Sequence, residues 1–402
     1  MGFLAIKFAK RMDNIKASEI RELLKITQKP GYISFGGGFP APELFPVEEM
    51  INITRDVLLK NGTKALQYGP TEGYQPLREA ISKRMEKVHV NIKPDNILIT
   101  SGSQQGLDFA AKIFINPGDK IIVEKPSYLG AVNAFKAYEP TFIDIEMDDD
   151  GMIMEDLEAV LKENDDIRFI YVIPDFQNPT GKTWSVERRI KLIEIANKYD
   201  IVIIEDNPYG ELRFEGEVLP AIKHFDTENR VIFFGTFSKI LCPGLRIGWV
   251  AADDALLHKF ILVKQGADLQ SSTMAQIEIA TFLNEYNIEE HIKKIISVYR
   301  VRRDVMINTM KEEFPEEVTF TYPNGGLFTW VTLPEYINTR ELAVKALEQM
   351  VAFVPGGSFY ANGGHENSFR CNYSCMDEEN IVIGVKRLAN VIKEAMMAEV
   401  LV

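Results

Sequence analysis

Hydrophobic residues between about 96 and 252 form short continuous runs that alternate with amphipathic stretches of helical period. Runs of this length that are rich in Ile and Val are typical of strands buried on both faces. Their alternation with helices favours a mostly parallel α/β sheet. We therefore predict a seven-stranded, mostly parallel sheet flanked by helices, with strands at 97–100, 120–123, 141–145, 169–173, 201–204, 231–234 and 247–251.

Different patterns flank this region. Residues 13–30 have the pattern of a short helix, with Ser18 as a candidate N-cap, and the Gly- and Pro-rich segment 31–46 favours a loop. A long amphipathic stretch at 285–313 predicts a helix that links two domains, and the strand-like runs behind it indicate a smaller α+β domain. We expect an arm and part of the small domain at 1–45, a large α/β domain at 46–290 and the small domain at 291–402.

The composition is that of an ordinary globular protein and argues against several partners. The net charge of −13 at pH 7 repels phosphate backbones and anionic lipid, so we expect no nucleic acid and no membrane partner. No apolar run approaches the ~20 residues of a membrane span. The three cysteines contain no CxxC pair and the five histidines are scattered, so we expect no metal site and a reducing, cytoplasmic location.

Polar segments follow several predicted strands, where an open α/β sheet places its ligands. The segment S-G-S-Q-Q-G-L-D at 101–108 opens a helix, and its backbone N–H groups suit either a phosphate site or a plain N-cap. The segment E-D-N-P-Y-G at 205–210 offers two carboxylates, which suit a metal site, a charge partner for a cation, or a polar loop.

The segment after 231–234 is more specific. It reads G-T-F-S-K at 235–239, followed by P-G-L-R-I-G-W at 243–249. Lys239 lies just past a strand end, with hydroxyl groups at Thr236 and Ser238 and a guanidinium at Arg246. A lysine amine forms Schiff bases when its surroundings lower its pKa, and arginine binds phosphate oxygens with a planar fork. This pattern predicts an amine nucleophile beside a phosphate cradle.

These motifs, in this order, resemble those of fold-type I aminotransferases of class I/II, closest to the 2-aminoadipate, kynurenine and aromatic aminotransferases. The resemblance extends from G-G-G-F-P-A-P-E-L-F-P and Q-Y-G-P-T-E-G-Y-Q-P-L-R-E (67–79) to S-F-R-C-N-Y-S (368–374). It implies pyridoxal 5'-phosphate as cofactor and ping-pong transfer of an amino group between an L-amino acid and a 2-oxo acid such as 2-oxoglutarate. It also implies a homodimer with shared active sites.

The resemblance further implies a role for each matching residue. Lys239 would carry the cofactor as a Schiff base and shuttle the proton, and Asp206 would pair with the protonated pyridine nitrogen. Glu205 competes for that place, but the spacing of Asp206 to Tyr209 matches the family pattern. The remaining roles are ring stacking by Tyr128, hydrogen bonds to the ring's phenolic oxygen from Asn178 and Tyr209, phosphate binding by Ser103, Gln104, Thr236, Ser238, Arg246 and the partner subunit's Tyr68, and substrate binding by Arg370, Gly38 and Asn178.

The chemistry explains two of these residue types. A buried carboxylate beside the ring nitrogen raises the pKa of that nitrogen and keeps it protonated, which improves the ring as an electron sink. An arginine at position 370 pairs with the α-carboxylate and fixes which α-bond lies perpendicular to the ring.

The substrate range depends on the helix A-S-E-I-R-E-L-L-K at 17–25, which resembles that of bacterial 2-aminoadipate aminotransferases. The resemblance implies that Arg21 and Ser18 meet a distal carboxylate, giving activity on 2-aminoadipate and glutamate, with aromatic residues or leucine as further donors. A solvated helical arginine is the alternative. At the level of activity, the alternatives are a fold-type I β-lyase and a non-enzymatic effector-sensing domain.

Overall fold

The computed structural model of this chain describes residues 7–15 and 29–400. Most of the helix predicted at 13–30, including Ser18 and Arg21, lies outside the described residues. The α-helices are α1 (Val47–Ala65), α2 (Gln75–Met85), α3 (Ser103–Phe114), α4 (Leu129–Lys136), α5 (Met154–Glu163), α6 (Val186–Tyr199), α7 (Asp254–Ala267), α8 (Thr273–Glu285), α9 (Ile288–Glu313), α10 (Thr339–Glu348) and α11 (Glu378–Val400). None of the helices in the described parts of the chain is long and apolar enough to cross a membrane.

The strands fall into one large and two small sheets. They are β1 (Ile33–Ser34), β2 (Ile97–Thr100), β3 (Lys120–Lys125), β4 (Thr141–Asp148), β5 (Gly151–Met152), β6 (Ile167–Val172), β7 (Val202–Asp206), β8 (Val231–Thr236), β9 (Gly248–Ala251), β10 (Thr319–Phe320), β11 (Phe328–Thr332), β12 (Val351–Ala352), β13 (Val354–Pro355) and β14 (Ser368–Asn372).

The large sheet has the strand order β2-β9-β8-β7-β6-β3-β4-β5. All seven predicted strands are present, and the prediction of a mostly parallel α/β sheet is confirmed. The eighth strand, β5, has two residues and forms a hairpin with the end of β4 across the turn at Asp149 and Asp150. Its first residue, Gly151, has a φ of +120°, which favours glycine. β9 is antiparallel to both β2 and β8, so the other long strands all end at one edge while β9 begins there.

Both faces of the large sheet are covered, which explains the continuous apolar runs of its strands. On one face Ile122, Ile170 and Ile203 pack in one hydrophobic cluster with residues of α5 and α6. On the other face Tyr171 and Ile204 belong to the main core, which also takes in α3, α4 and α7. Successive residues of one strand therefore face different layers of the molecule.

The smaller domain is built on the antiparallel sheet β10-β11-β14-β13, as the strand-like runs predict. The helix predicted at 285–313 begins at Ile288, where the Asn287 side chain accepts hydrogen bonds from the backbone N–H groups of Glu289 and Glu290. β1 pairs with β12 next to this domain, so the segment before α1 joins it. The domain boundaries at 45 and 290 stay a prediction.

Candidate active site

The segments that follow β2, β3, β6, β7 and β8 meet at the carboxyl edge of the large sheet. Ligands of open α/β sheets bind at this edge, because loops rather than packed strands reach it. The edge receives Ser103, Tyr128, Asn178, Asp206, Tyr209 and Lys239 from those segments and Arg246 from the residues before β9. The smaller domain adds Arg370 from β14.

Asp206 is the last residue of β7 and is buried. Its Oδ2 accepts a hydrogen bond of 2.9 Å from the Tyr171 hydroxyl, whereas its Oδ1 is buried without a partner. Burial raises the pKa of Asp206 to about 7, and the hydrogen bond from Tyr171 opposes that rise. Glu205 points to the other face of the sheet, where it accepts 2.9 Å hydrogen bonds from the backbone N–H groups of Ile222 and Lys223. Of the two carboxylates, Asp206 therefore has the free acceptor.

Lys239 lies three residues beyond β8, and its Nζ donates a 2.7 Å hydrogen bond to the Gly38 carbonyl. Burial, together with the positive charges of Arg370 and Arg246, lowers the pKa of Lys239 to about 8. Lowering the pKa of a lysine raises the fraction of neutral amine near neutral pH, which is the nucleophilic form. A Cβ at Gly38 would lie 3.2 Å from the Phe328 ring, so this backbone passes close to the pocket wall.

Arg370 lies in the middle of β14, opposite Trp330 of β11. Its guanidinium donates to Asn178 Oδ1 at 2.8 Å and to the Gly36 carbonyl at 2.6 Å, and its Nε is buried without a partner. The rings of Phe328 and Phe359 lie 4.1 and 5.0 Å from the guanidinium carbon. Burial lowers the pKa of Arg370 to about 10, so the group stays cationic and gains from any carboxylate that enters.

Asn178 links Arg370 to Tyr209, because its amide nitrogen donates to the Tyr209 hydroxyl oxygen at 3.3 Å. Burial raises the pKa of Tyr209 and of Tyr128, so both phenols stay protonated and can donate hydrogen bonds. Tyr128 is the N-cap residue of α4, and its hydroxyl lies 3.4 Å from Gln104 Oε1. The loops after β3, β6 and β7 thus bring the polar side chains of Tyr128, Asn178 and Tyr209 to the same edge of the large sheet.

An anion cradle lies at the N-terminus of α3. The N-cap residue Gly102 has a φ of +78° and offers no side-chain cap, and a Cβ there would collide with the guanidinium of Arg246. Arg246 donates to the Ser101 carbonyl at 3.3 Å and to Ser238 Oγ at 3.5 Å. Thr236 in turn donates to Ser238 Oγ at 3.0 Å. Hydroxyl groups, a guanidinium and an open helix N-terminus together suit a phosphate group.

Two predicted phosphate-binding residues, Gln104 and Tyr68, make no side-chain hydrogen bond with the anion cradle among the described residues. Gln104 is turned toward α4, where its amide donates to the Gly130 carbonyl at 2.8 Å. Tyr68 is 78% exposed and has no side-chain contact with the other site residues described in this chain. The predicted roles of Arg21 and Ser18 fall outside the described residues. A metal site of three or more His, Cys, Asp or Glu side chains is not found among the described residues.

Sequence reasoning missed the residues that surround the predicted ones. Tyr171 contacts Asp206, and Phe328 and Phe359 enclose Arg370. A tyrosine inside the apolar run at 169–173 was a usable signal, since a buried phenol needs a partner. The two phenylalanines carry no such signal, because an aromatic residue in a strand is ordinary core.

Comparison with known proteins gives the family. Residues 32–388 match the family model of aminotransferase class I and II. The chain is 47% identical over 394 residues to aromatic-amino-acid aminotransferase 1 of Thermococcus litoralis, covering 97% of this chain and 94% of that protein. It is 42% identical over 389 residues to the 2-aminoadipate transaminase of Thermus thermophilus, covering 96% of each.

A solved structure agrees with these relatives. The α-aminoadipate aminotransferase LysN of Thermus thermophilus, complexed with N-(5'-phosphopyridoxyl)-L-leucine, superposes with a TM-score of 0.91 at 40% identity, over 97% of this chain and 98% of that one. The predicted resemblance is confirmed. Because the family model spans most of the chain and the relatives align along nearly all of it, this protein belongs to the class I and II aminotransferases.

Proposed function

We propose that this aminotransferase moves the amino group of 2-aminoadipate, glutamate or an aromatic amino acid to a 2-oxo acid such as 2-oxoglutarate by a ping-pong mechanism. Pyridoxal phosphate is the cofactor of the class I and II aminotransferases. The observation that carries the proposal is the free, buried Oδ1 of Asp206 at the same sheet edge as a lysine amine and an anion cradle.

The residues present fit that cofactor. A buried carboxylate oxygen without a partner is costly, and a protonated ring nitrogen is a partner of the right charge and hydrogen-bonding type. The cradle formed by Gly102, Ser238 and Arg246 fits a phosphate group, because a larger residue at Gly102 would fill it. We propose that Asn178 and Tyr209 hold the phenolic oxygen, that Tyr128 covers the ring face, and that Ser103, Gln104 and Thr236 complete the phosphate site.

When bound, pyridoxal phosphate supplies an aldehyde that condenses with amino groups and a ring that stabilises the carbanion left by loss of the α-proton. Lys239 would hold the cofactor through its amine and, once freed, would carry the α-proton of the substrate as a base and then as an acid. Asp206 would keep a proton on the ring nitrogen, since its negative charge stabilises the cation. Arg370 binds the α-carboxylate and orients the α-bond, and the aromatic rings beside it exclude water.

The proposed substrate class is supported by the names of the relatives and by the sequence of residues 17–25. One relative is named for aromatic amino acids and another for 2-aminoadipate. We propose that Arg21, with Ser18 nearby, binds the distal carboxylate of acidic donors, although both lie outside the described residues. An acidic donor has two carboxylates. If Arg370 binds the α-carboxylate, the distal carboxylate needs another cation, and we propose Arg21 for it.

We also propose a homodimer in the cytoplasm. The three cysteines, Cys242, Cys371 and Cys375, are unpaired, which suits a reducing compartment. Apolar side chains are exposed on and just after α1, namely Val47, Ile51, Leu58, Leu59 and Leu66. Tyr68 follows them and is exposed as well, so a second copy that covers α1 would bring its Tyr68 toward a neighbouring site.

The test is reductive trapping. Borohydride added to the cofactor-loaded protein should fix the cofactor on the tryptic peptide that contains Lys239. Lys239→Ala should abolish this labelling and lower the transamination rate by about a thousand-fold or more, since it removes both the nucleophile and the acid/base. Lys259→Ala, which changes an exposed lysine of α7, is the matched control and should label and react like the wild type.

Products distinguish the alternatives. Single amino acids are added to the loaded enzyme, and transamination gives the matching 2-oxo acid and the aminated cofactor, whereas a β-lyase releases pyruvate and ammonia. Arg21→Ala should slow 2-aminoadipate and glutamate but leave aromatic donors unchanged. Labelling on a lysine other than Lys239 would contradict the site assignment, and equal effects of Arg21→Ala on all donors would contradict the distal-carboxylate role.

A further inference from the structure

We infer that Tyr171 is a positioning residue that fixes the orientation of Asp206 and stabilises its negative charge. The inference rests on the proposed function, because it assigns Asp206 to the cofactor's ring nitrogen. Tyr171 itself lies one layer behind that carboxylate and does not take part in the reaction. Its hydroxyl donates a 2.9 Å hydrogen bond to Asp206 Oδ2, and both side chains are buried.

The hydrogen bond from Tyr171 occupies one carboxylate oxygen of Asp206 and leaves the other free. Among the described residues, Asp206 Oδ2 receives the Tyr171 hydroxyl and Oδ1 receives nothing. A carboxylate held at one oxygen cannot rotate about its Cβ–Cγ bond without losing that bond. Tyr171 therefore decides which oxygen is presented at the sheet edge, and it does so before any ligand arrives.

The sheet register explains why Tyr171 reaches this carboxylate. Tyr171 of β6 pairs with Ile204 of β7, and Asp206 comes two residues after Ile204, so Tyr171 and Asp206 share one face of the sheet. Phe135 packs edge-on against the Tyr171 ring at 5.5 Å and fixes it from the side of α4. The phenol is thus a rigid donor rather than a mobile one.

Electrostatics give the second part of the role. Burial disfavours the anionic form of Asp206, and the Tyr171 hydroxyl is the group that opposes this by hydrogen bonding. Without the phenol, Asp206 would lose negative charge more readily and hold a proton on the ring nitrogen less well.

The test is Tyr171→Phe, which removes the hydroxyl and keeps the ring. We expect the dissociation constant of pyridoxal phosphate, measured by titrating the apoprotein, to rise roughly ten- to a hundred-fold, the range for a hydrogen bond to a charged group. The ¹⁵N shift of ring-labelled cofactor should move toward the unprotonated form. The kcat should fall while KM for the amino donor changes little, because Arg370 is untouched.

Two comparisons separate positioning from a general loss of packing. Tyr138→Phe removes another Tyr–Asp hydrogen bond, 3.1 Å to Asp108, and should leave cofactor affinity and the ¹⁵N shift unchanged. In an Asp206→Asn background, Tyr171→Phe should add little further loss, because its effect passes through Asp206. Should Tyr171→Phe fail to fold, Phe135→Leu loosens the same ring and should shift both readouts in the same direction.

An unchanged affinity and an unchanged ¹⁵N shift in Tyr171→Phe would overturn the inference, as would an equal loss in the Asp206→Asn background. The wild-type protein separates this failure from failure of the proposed function. If wild type binds the cofactor at Lys239 but Tyr171→Phe behaves identically, only the positioning role is lost. If wild type does not bind it, the proposed function itself is wrong.

Discussion

At the scale of single residues, the candidate site is dominated by positive charge. Lys239, Arg370 and Arg246 lie close enough that the two arginines lower the pKa of the lysine, in addition to the effect of burial. The buried Arg370 and the partly buried Lys239 are costly as isolated cations, so the site is set to accept anions. A phosphate and a carboxylate are the two anionic groups that the proposed reaction brings.

The first prediction at this scale concerns pH. A lysine with an ordinary pKa is mostly protonated below pH 10. Lys239 has a pKa of about 8, so half of its amine is neutral at about pH 8. The rate at which the apoprotein takes up pyridoxal phosphate should therefore rise with pH and level off above about 8. Stopped-flow absorbance measures this rate across pH 7 to 10.

The control for this profile is Arg370→Gln. Removing one neighbouring cation should move the midpoint upward, because the protonated amine is then less strongly repelled. A wild-type profile that keeps rising beyond pH 9.5 would show that the amine is solvated in the apoprotein. Much of this could be anticipated from the sequence, since Lys239 and Arg246 share one segment, but the proximity of Arg370 required the fold.

At the scale of elements, Asp175 links the loop after β6 to the loop after β7 and to α6. Its carboxylate accepts hydrogen bonds from Arg189 at 2.8 and 3.2 Å, from Arg213 at 3.2 Å and from Asn207 at 3.1 Å. Arg189 belongs to α6, while Asn207 and Arg213 flank Tyr209 in the segment after β7. The loop after β6, which carries Asn178, is thereby tied to the loop that carries Tyr209.

Asp175→Asn should destabilise the protein by about 3 kcal/mol or more, because the buried Arg189 and the partly buried Arg213 lose their carboxylate partner. Urea unfolding followed by tryptophan fluorescence measures the change. The matched control is Asp95→Asn, which removes the partner of Arg78 at a side chain that is 86% exposed and should cost less than about 1 kcal/mol. Equal midpoints for the two variants would show that Asp175 has no special part in joining the loops.

The sequence predicted the positions of the long strands well, but it did not predict the order of the strands in the sheet or the contacts between them. The seven long strands lie within three residues of their predicted ends, because strands buried on both faces leave an unbroken apolar run. β5 was not predicted, since two residues produce no periodicity. The insertion of β9 between β2 and β8 was also out of reach, because strand order is set by long-range packing. Tyr171 was missed for the same reason: only the register of β6 against β7 places it beside Asp206.

At the scale of the whole molecule, α1 has one face that the described residues leave exposed. Ile53 and Val57 are buried, and Thr54 donates to Glu278 of α8 at 2.7 Å, so one side of the helix packs on the large domain. Ile51 and Leu58 on the other side are exposed. A helix with apolar side chains on both sides is expected to bury the second side against another molecule.

Ile51→Asp should therefore dissociate the proposed homodimer. An unpaired carboxylate buried in an apolar contact costs about 3 kcal/mol, which corresponds to a roughly hundred-fold higher dissociation constant. Light scattering after size exclusion measures the mass. Val344→Asp changes a side chain of α10 with nearly the same exposure, 60% against 58%, and should leave the mass unchanged. A wild-type protein that elutes as a monomer would refute the assembly outright.

The reversed direction of β9 affects the spacing between Lys239 and Arg246, the residues proposed to hold the cofactor's aldehyde carbon and its phosphate. Since β8 ends at the edge where β9 begins, Lys239 and Arg246 lie in one short loop that connects these two hydrogen-bonded strands. Their backbone separation is set locally, by the hairpin-like connection between Thr236 and Gly248. Motions elsewhere in the protein should therefore change the backbone spacing between Lys239 and Arg246 less than the spacing between residues of different segments.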